Sequence, residues 1–186
     1  MNFPNLERIS ITGYNITMQN FNKLPQSLKI LDFVSYYYES ILINNNELKF
    51  IGNNCTKLRV LNLYNICISK EILEYIAKQC LLLKELTLGI SFLNKEGLLF
   101  YNNLKVLELY LTEHFDFSTV IEHMKILENL IVTHYNSFII TQKIKINFNK
   151  LKHLKNVNLY NININSESLI YLRNSNIKYF YLKPDM

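Results

Sequence analysis

The chain has 186 residues, of which 49% are hydrophobic, and its 20 Lys and Arg against 15 Asp and Glu give a formal net charge of +5. That is enough apolar material for a core in one domain, taken as residues 1–186 because no Pro-, Gly- or Ser-rich linker interrupts it. No apolar run approaches the ~18 residues of a membrane span, the opening MNFPNLERIS lacks a secretory signal's basic and apolar regions, and an odd cysteine count of three argues against a secreted disulfide scaffold.

A short phrase, L-x-x-L-x-L in aliphatic form, recurs along the chain. It starts at Leu6, Leu28, Leu58, Leu83, Leu104, Leu127, Leu154 and Ile177, with spacings of 22, 30, 25, 21, 23, 27 and 23 residues. Side chains alternate faces along a strand, so the fourth and sixth residues of each phrase point the same way, as with Leu61 and Leu63 or Leu86 and Leu88. One such strand buries nothing alone. Stacked turns close an aliphatic column and stabilise one another as neighbours. About eight parallel strands are therefore predicted on the concave face of a solenoid arc, with helices and irregular segments on its convex face.

In chain order, the connection over residues 17–27 contains Pro25, which pushes Leu24 out of the helical region, so an extended or single-turn segment is expected there. After Leu63, the residues Ile72, Leu73, Ile76, Ala77 and Cys80 share one helix face, with Ser69 as N-cap and Glu71 in the first turn. Shorter helices are expected over Asn94 to Tyr101, Ser118 to Ile126 and Ser166 to Arg173. Within residues 137–149, Ile144, Ile146 and Phe148 alternate, which predicts a short strand.

On these phrases the whole chain from Leu6 to Leu182 resembles a leucine-rich repeat protein. Cys55 to Leu63 and Cys80 to Leu88 match C-x-x-L-x-x-L-x-L, the start of the cysteine-containing subclass found in F-box substrate receptors, and residues 21–29 are similar to the LPxSLKxL repeat type. The resemblance implies an α/β horseshoe that binds partners on its concave sheet. No F-box precedes the first repeat, so a ubiquitin-ligase role is not carried over. The family's Asn or Cys past the third aliphatic is replaced by Tyr14, Tyr36, Ile66, Ser91, Thr112, Tyr135 and Ile162, unless the neighbouring Asn15, Asn65 and Asn161 substitute for it.

Three columns of residues should line the concave face. The first runs Arg8, Ile30, Val60, Glu85, Val106, Asn129, Asn156, Tyr179; the second Ser10, Asp32, Asn62, Thr87, Glu108, Ile131, Asn158, Tyr181. The third runs Thr12, Val34, Tyr64, Gly89, Tyr110, Thr133, Tyr160, Lys183. Tyr among Asn and a few charges suits protein binding, because Tyr offers large area at low entropic cost. Candidate partner-binding residues are Tyr64, Tyr110, Tyr160, Asn62, Glu108, Asn158, Asp32, Tyr179 and Tyr181. Tyr is also common throughout this chain, as are Asn, Ile and Lys, all with AT-rich codons, so abundance alone reports the genome as much as the function.

A second candidate lies one residue into each phrase. Lys29, Arg59, Lys84, Lys105, Lys155 and Lys178 should align as a basic edge, broken by Glu7 and Glu128. Such a row could bind nucleic acid or an acidic surface with steep salt dependence, but Lys there is also an ordinary solvated choice. Cys55 and Cys80 fill equivalent apolar slots, shared elsewhere by Phe3, Met124 and Leu151, and read as buried thiols; Cys67 reads as exposed. His114, His123, His134 and His153 show no metal-ligand spacing, and nothing pairs a nucleophile with a base. The expectation is a cytoplasmic or nuclear, non-catalytic module without metal or cofactor, which binds a protein partner. The edge of the last strand, Ile177 to Leu182, is expected to self-associate or contact that partner, since little follows to cover it.

Overall fold

The structure, a computed structural model, describes residues 4–13, 23–35, 45–66, 68–90, 95–111, 116–135 and 143–183. Each aliphatic phrase ends in a strand: β1 Arg8–Gly13, β2 Ile30–Ser35, β3 Val60–Tyr64, β4 Glu85–Ile90, β5 Val106–Leu111, β6 Asn129–His134, β7 Asn156–Tyr160 and β8 Tyr179–Lys183. The eight form one open parallel sheet in chain order, β1 to β8. The helices are α1 Asn45–Asn54, α2 Lys70–Gln79, α3 Lys95–Leu98, α4 Ser118–Ile121 and α5 Ser166–Arg173. The fold is α/β, and consecutive parallel neighbours joined by short connections are compatible with a solenoid.

Burial follows the period of two. In β2, β5 and β6 the inward residues are buried and the intervening ones only half-buried. Leu31, Leu61, Leu86, Leu107, Leu130 and Val157 form one fully buried column. Phe33, Leu63, Leu88, Leu109, Val132 and Leu159 form the next. Ile72, Leu73 and Ile76 of α2 join the same core, so the helices cover this face and the other face of the sheet stays open.

The entry to each strand is equally regular. The amides of Leu28, Leu58, Leu83, Leu127 and Leu154 each donate to the carbonyl three residues earlier, closing a turn before the strand. In four of these turns, that earlier residue fills the apolar slot: Cys55, Cys80, Met124 and Leu151 are all buried, as is the equivalent Tyr101. The Glu7 carbonyl then accepts from the amides of Lys29 (2.8 Å) and Ile30 (3.0 Å), and this paired acceptance repeats at Lys29, Arg59, Lys84, Lys105, Glu128 and Lys155. A continuous ladder therefore holds the second residue of every phrase in one row.

Helix α2 forms as its sequence predicts, with Ser69 as N-cap accepting from the Ile72 amide (3.4 Å). Helix α5 spans the expected residues and is capped by Asn165, whose side chain accepts from the Ser168 amide (2.8 Å). Helix α4 is shorter than the expected Ser118 to Ile126. It ends at Ile121, and three-residue turns at Met124 (2.9 Å) and Leu127 (3.0 Å) take over, which brings Met124 into its buried slot. Helix α3 is likewise limited to Lys95–Leu98; Asn94 lies outside the described residues, and Tyr101 sits in a turn.

The strand expected within residues 137–149 is corrected. Residues 137–142 lie outside the described ones; of the rest, only Ile144 makes a β-bridge, parallel to Ile164, and Phe148–Lys150 is a 3-10 turn. Ile144, Ile146 and Phe148 are all buried, so the alternation reports burial. The Ile146 amide bonds the Ser168 hydroxyl (2.8 Å) on α5 instead of a strand, and the Asn147 side chain accepts from the Asn149 amide (3.2 Å) to start the turn. In the 17–27 connection, residues 23–27 carry no α-helix, and the Leu28 amide closes a turn on the Pro25 carbonyl (3.1 Å).

Asn65 and Asn161 do tie neighbouring turns together. Both adopt left-handed backbone, φ 58° and 56°, and their Nδ2 atoms donate to the carbonyls of Ser35 and His134, each at 3.0 Å. Ile66 and Ile162 beside them are buried, while Tyr14, Asn15, Tyr36, Ser91 and Thr112 lie outside the described residues. Asn tolerates the left-handed region better than other side chains. Asn65→Ala should therefore lose the hydrogen bond and add backbone strain, costing about 1–3 kcal/mol in urea denaturation. Asn65→Gly removes only the bond and should cost less; the reverse order would refute this role.

Candidate functional site

The strand register aligns the three expected columns, with Arg8 opposite Ile30, Ser10 opposite Asp32 and Thr12 opposite Val34, onward to Tyr179, Tyr181 and Lys183; only at Tyr64 and Gly89 does the pairing of β3 with β4 end one residue short. They line the open face.

At the middle of the third column, Gly89 stands between Tyr64 and Tyr110. Its missing side chain lets the two rings meet edge to face, with centroids 4.8 Å apart. A Cβ on Gly89 would sit 2.5 Å from the Asn65 backbone nitrogen, so the left-handed turn at Asn65 closes directly over this glycine. Tyr135, just beyond β6, stacks on Tyr110 at 5.8 Å, and its hydroxyl meets that of Tyr64. Tyr135 was not a candidate from sequence, because it follows the strand and its approach depends on the gap at Gly89.

The cluster is polar at its base. The Tyr110 hydroxyl donates to Glu108 Oε1 (2.5 Å), and Thr87 Oγ1 donates to Glu108 Oε2 (3.3 Å). Burial, then the bond to Glu108, pushes the Tyr110 phenol pKa up, and burial does the same to Tyr135, so both remain neutral donors at physiological pH. Asp32 is held by Arg8 (2.8 Å) with most of its side chain covered. The Asn62 side-chain oxygen, between Asp32 and Thr87, is buried and finds no donor among the described residues.

The other candidates form a separate group. Tyr160 packs on Tyr181 with centroids 5.2 Å apart, Asn158 lies between Ile131 and Tyr181, and Tyr179 is 71% exposed. Thr133 separates Tyr110 from Tyr160 in the column, so the three expected tyrosines are one row but two clusters. Near the last strand, Leu169 and Ile170 of α5 are exposed; residues 184–186, on which the edge reading also drew, lie outside the described ones.

The basic edge is aligned by the carbonyl ladder, but it is not uniformly cationic. Lys29 pairs with Glu7 (2.5 Å), and Glu128 takes both Lys105 (2.7 Å) and Lys155 (2.6 Å). Hydrogen bonds from Lys105 and Lys155 hold the Glu128 carboxyl at a pKa of about 2, so it stays charged at every physiological pH. Lys84 reaches the Asn103 carbonyl (3.4 Å), while Arg59 and Lys178 make no ion pair among the described residues.

Cys55 and Cys80 are free thiols, with Cys80 Sγ 3.5 Å from the Cys55 carbonyl. Burial pushes both up to about 12 and makes them poor nucleophiles. Cys67 and His114 lie outside the described residues. Among the described residues, no three His, Cys, Asp or Glu side chains are grouped to hold a metal, and no helix is long and apolar enough to cross a membrane. Comparison with protein-family models, with curated proteins and with solved structures found no match for the chain.

Proposed function

We propose that the chain is a leucine-rich repeat solenoid that works as a non-catalytic interaction module, capturing a protein partner on the open face of its sheet. The observation that carries this reading is the cluster of Tyr64, Tyr110 and Tyr135, seated at mid-sheet over Glu108. Its rings lock one another in place, so little side-chain entropy remains to be lost on binding. The recurrent phrase and the eight parallel strands in chain order support the repeat assignment.

Anion binding along the basic edge is the weaker alternative. Glu7 and Glu128 neutralise much of that row, which lowers the number of phosphates it could contact. A photo-crosslinking residue tests the main reading. Placed at Thr133 it should yield a discrete, nuclease-resistant protein adduct in source-cell lysate, and placed at exposed Glu71 of α2 it should not. Equal adducts at both positions, or an adduct removed by nuclease, would reject the open-face protein site.

A further inference from the structure

We infer that the two turns entering β4 and β5 form a second docking surface, fitted to a protein segment that combines a large apolar side chain with carboxylates. The residue pair just before each leading aliphatic is Pro4-Asn5, Gln26-Ser27, Thr56-Lys57, Asn102-Asn103, Lys125-Ile126, Lys152-His153 and Ser175-Asn176 in the other turns. At β4 it is Leu81-Leu82, and these side chains are 65% and 49% exposed. Every other turn carries at least one polar residue in this pair, and Ile126, the one large aliphatic among them, is half-buried, so two exposed leucines are not a packing requirement. Leu99 and Phe100, from the next connection, are exposed as well, at 37% and 40%. Leu81 and Phe100 meet at one notch between neighbouring turns, and Leu82 and Leu99 are exposed next to them in the chain, which is the pattern of an interaction patch more than of scattered surface residues.

Leu81 and Phe100 line a cavity of about 120 Å³, floored by Ala77, Cys80 and Leu83. That is far below the roughly 300–1,000 Å³ of small-molecule sites, and it gives room for a single aliphatic side chain. Cations ring the notch. Lys78 Nζ lies 5.4 Å from the Phe100 ring centroid, and Lys84 Nζ reaches the carbonyl of Asn103, itself a lining residue. Lys78 is offset by Glu74, but Lys84 and its row neighbour Arg59 have no carboxylate partner among the described residues. A notch that joins Leu81 and Phe100 to the amide residues Asn102 and Asn103, with Lys84 at its rim and Arg59 one turn away, complements a Leu, Ile or Phe flanked by Asp or Glu. A nucleic acid would gain nothing from the leucines. The surface is separate from the tyrosine cluster, so either can fail without the other.

Selection of a random 12-residue phage-displayed peptide library on the intact chain tests this. Enriched peptides should join acidic residues to Leu, Ile or Phe, and a labelled synthetic copy should bind about tenfold or more weakly to Leu81→Ser and to Lys84→Glu. Tyr110→Ala should leave that affinity within about twofold. Both altered side chains are at the surface, so thermal midpoints should hold; should Leu81→Ser fold poorly, Leu82→Ser replaces it. Absence of acidic–apolar enrichment would overturn the inference, as would peptides insensitive to both substitutions. Tight binding of a labelled oligonucleotide or of phosphatidylserine vesicles that needs Lys84 but not Leu81 would also overturn it.

Discussion

Replacing Tyr64, Tyr110 and Tyr160 together by Ala is expected to abolish binding of the partner isolated through the Thr133 cross-link, while the chain still folds. Truncating a well-packed Tyr at an interface centre costs about 2 kcal/mol or more, and three such losses, about 6 kcal/mol if additive, would weaken a micromolar complex by about four orders of magnitude, beyond detection. The fold should tolerate the change, because all three side chains lie on the open face and none belongs to the buried core. Some stability will go with the edge-to-face contact of Tyr64 and Tyr110 and the Tyr160–Tyr181 pair, at about 0.5–1.5 kcal/mol each. Circular dichroism and a thermal scan on the variant separate lost binding from lost folding. The structure also ranks the singles. Tyr110 touches both Tyr64 and Tyr135 and holds Glu108, so Tyr110→Ala should weaken binding more than Tyr160→Ala. Undiminished affinity in the triple variant would move the site off this face.

What could be read in advance follows from where the physics is local. A period of two is enough to assign faces, so the three open-face columns and the two buried ones could be written out from L-x-x-L-x-L alone. Ser69 with Ile72, Leu73 and Ile76 carried α2 for the same reason: cap and face lie within a few residues. Helix α1 escaped notice because four of its ten residues are Asn and one is Gly, all poor helix formers. Leu48, Ile51 and Cys55, spaced i, i+3 and i+7 and all buried, were the available signal. The tyrosine cluster depended on longer reach. Tyr64 and Tyr135 meet across 71 residues only because Gly89 leaves a gap and Asn65 turns left-handed beside it. The two glutamates of the basic edge behaved likewise. In sequence they interrupt a row; in space each turn places them against lysines 22 to 27 residues away.

Leu86→Ala should be the most damaging conservative change in the sheet, at about 2–5 kcal/mol, because it leaves a cavity that surrounding elements can only partly close. Leu86 is fully buried and paired in register between Leu61 of β3 and Leu107 of β5, both fully buried too. The void would open between the third, fourth and fifth turns of the stack, where neighbours on both sides depend on that contact. For a chain of this length the thermal midpoint should fall by roughly 4–20 °C. Two comparisons make the result specific. Thr87→Ala, one residue on, faces the open side and forfeits only a 3.3 Å bond to Glu108, so it should cost far less. Ile9→Ala occupies the same column as Leu86 but at β1, where the side chain is only half-buried, and should fall between them. A one-residue slip of β4 would exchange the faces of Leu86 and Thr87. Guanidinium denaturation that ranked Thr87→Ala above Leu86→Ala would therefore disprove the register on which every column of the open face rests.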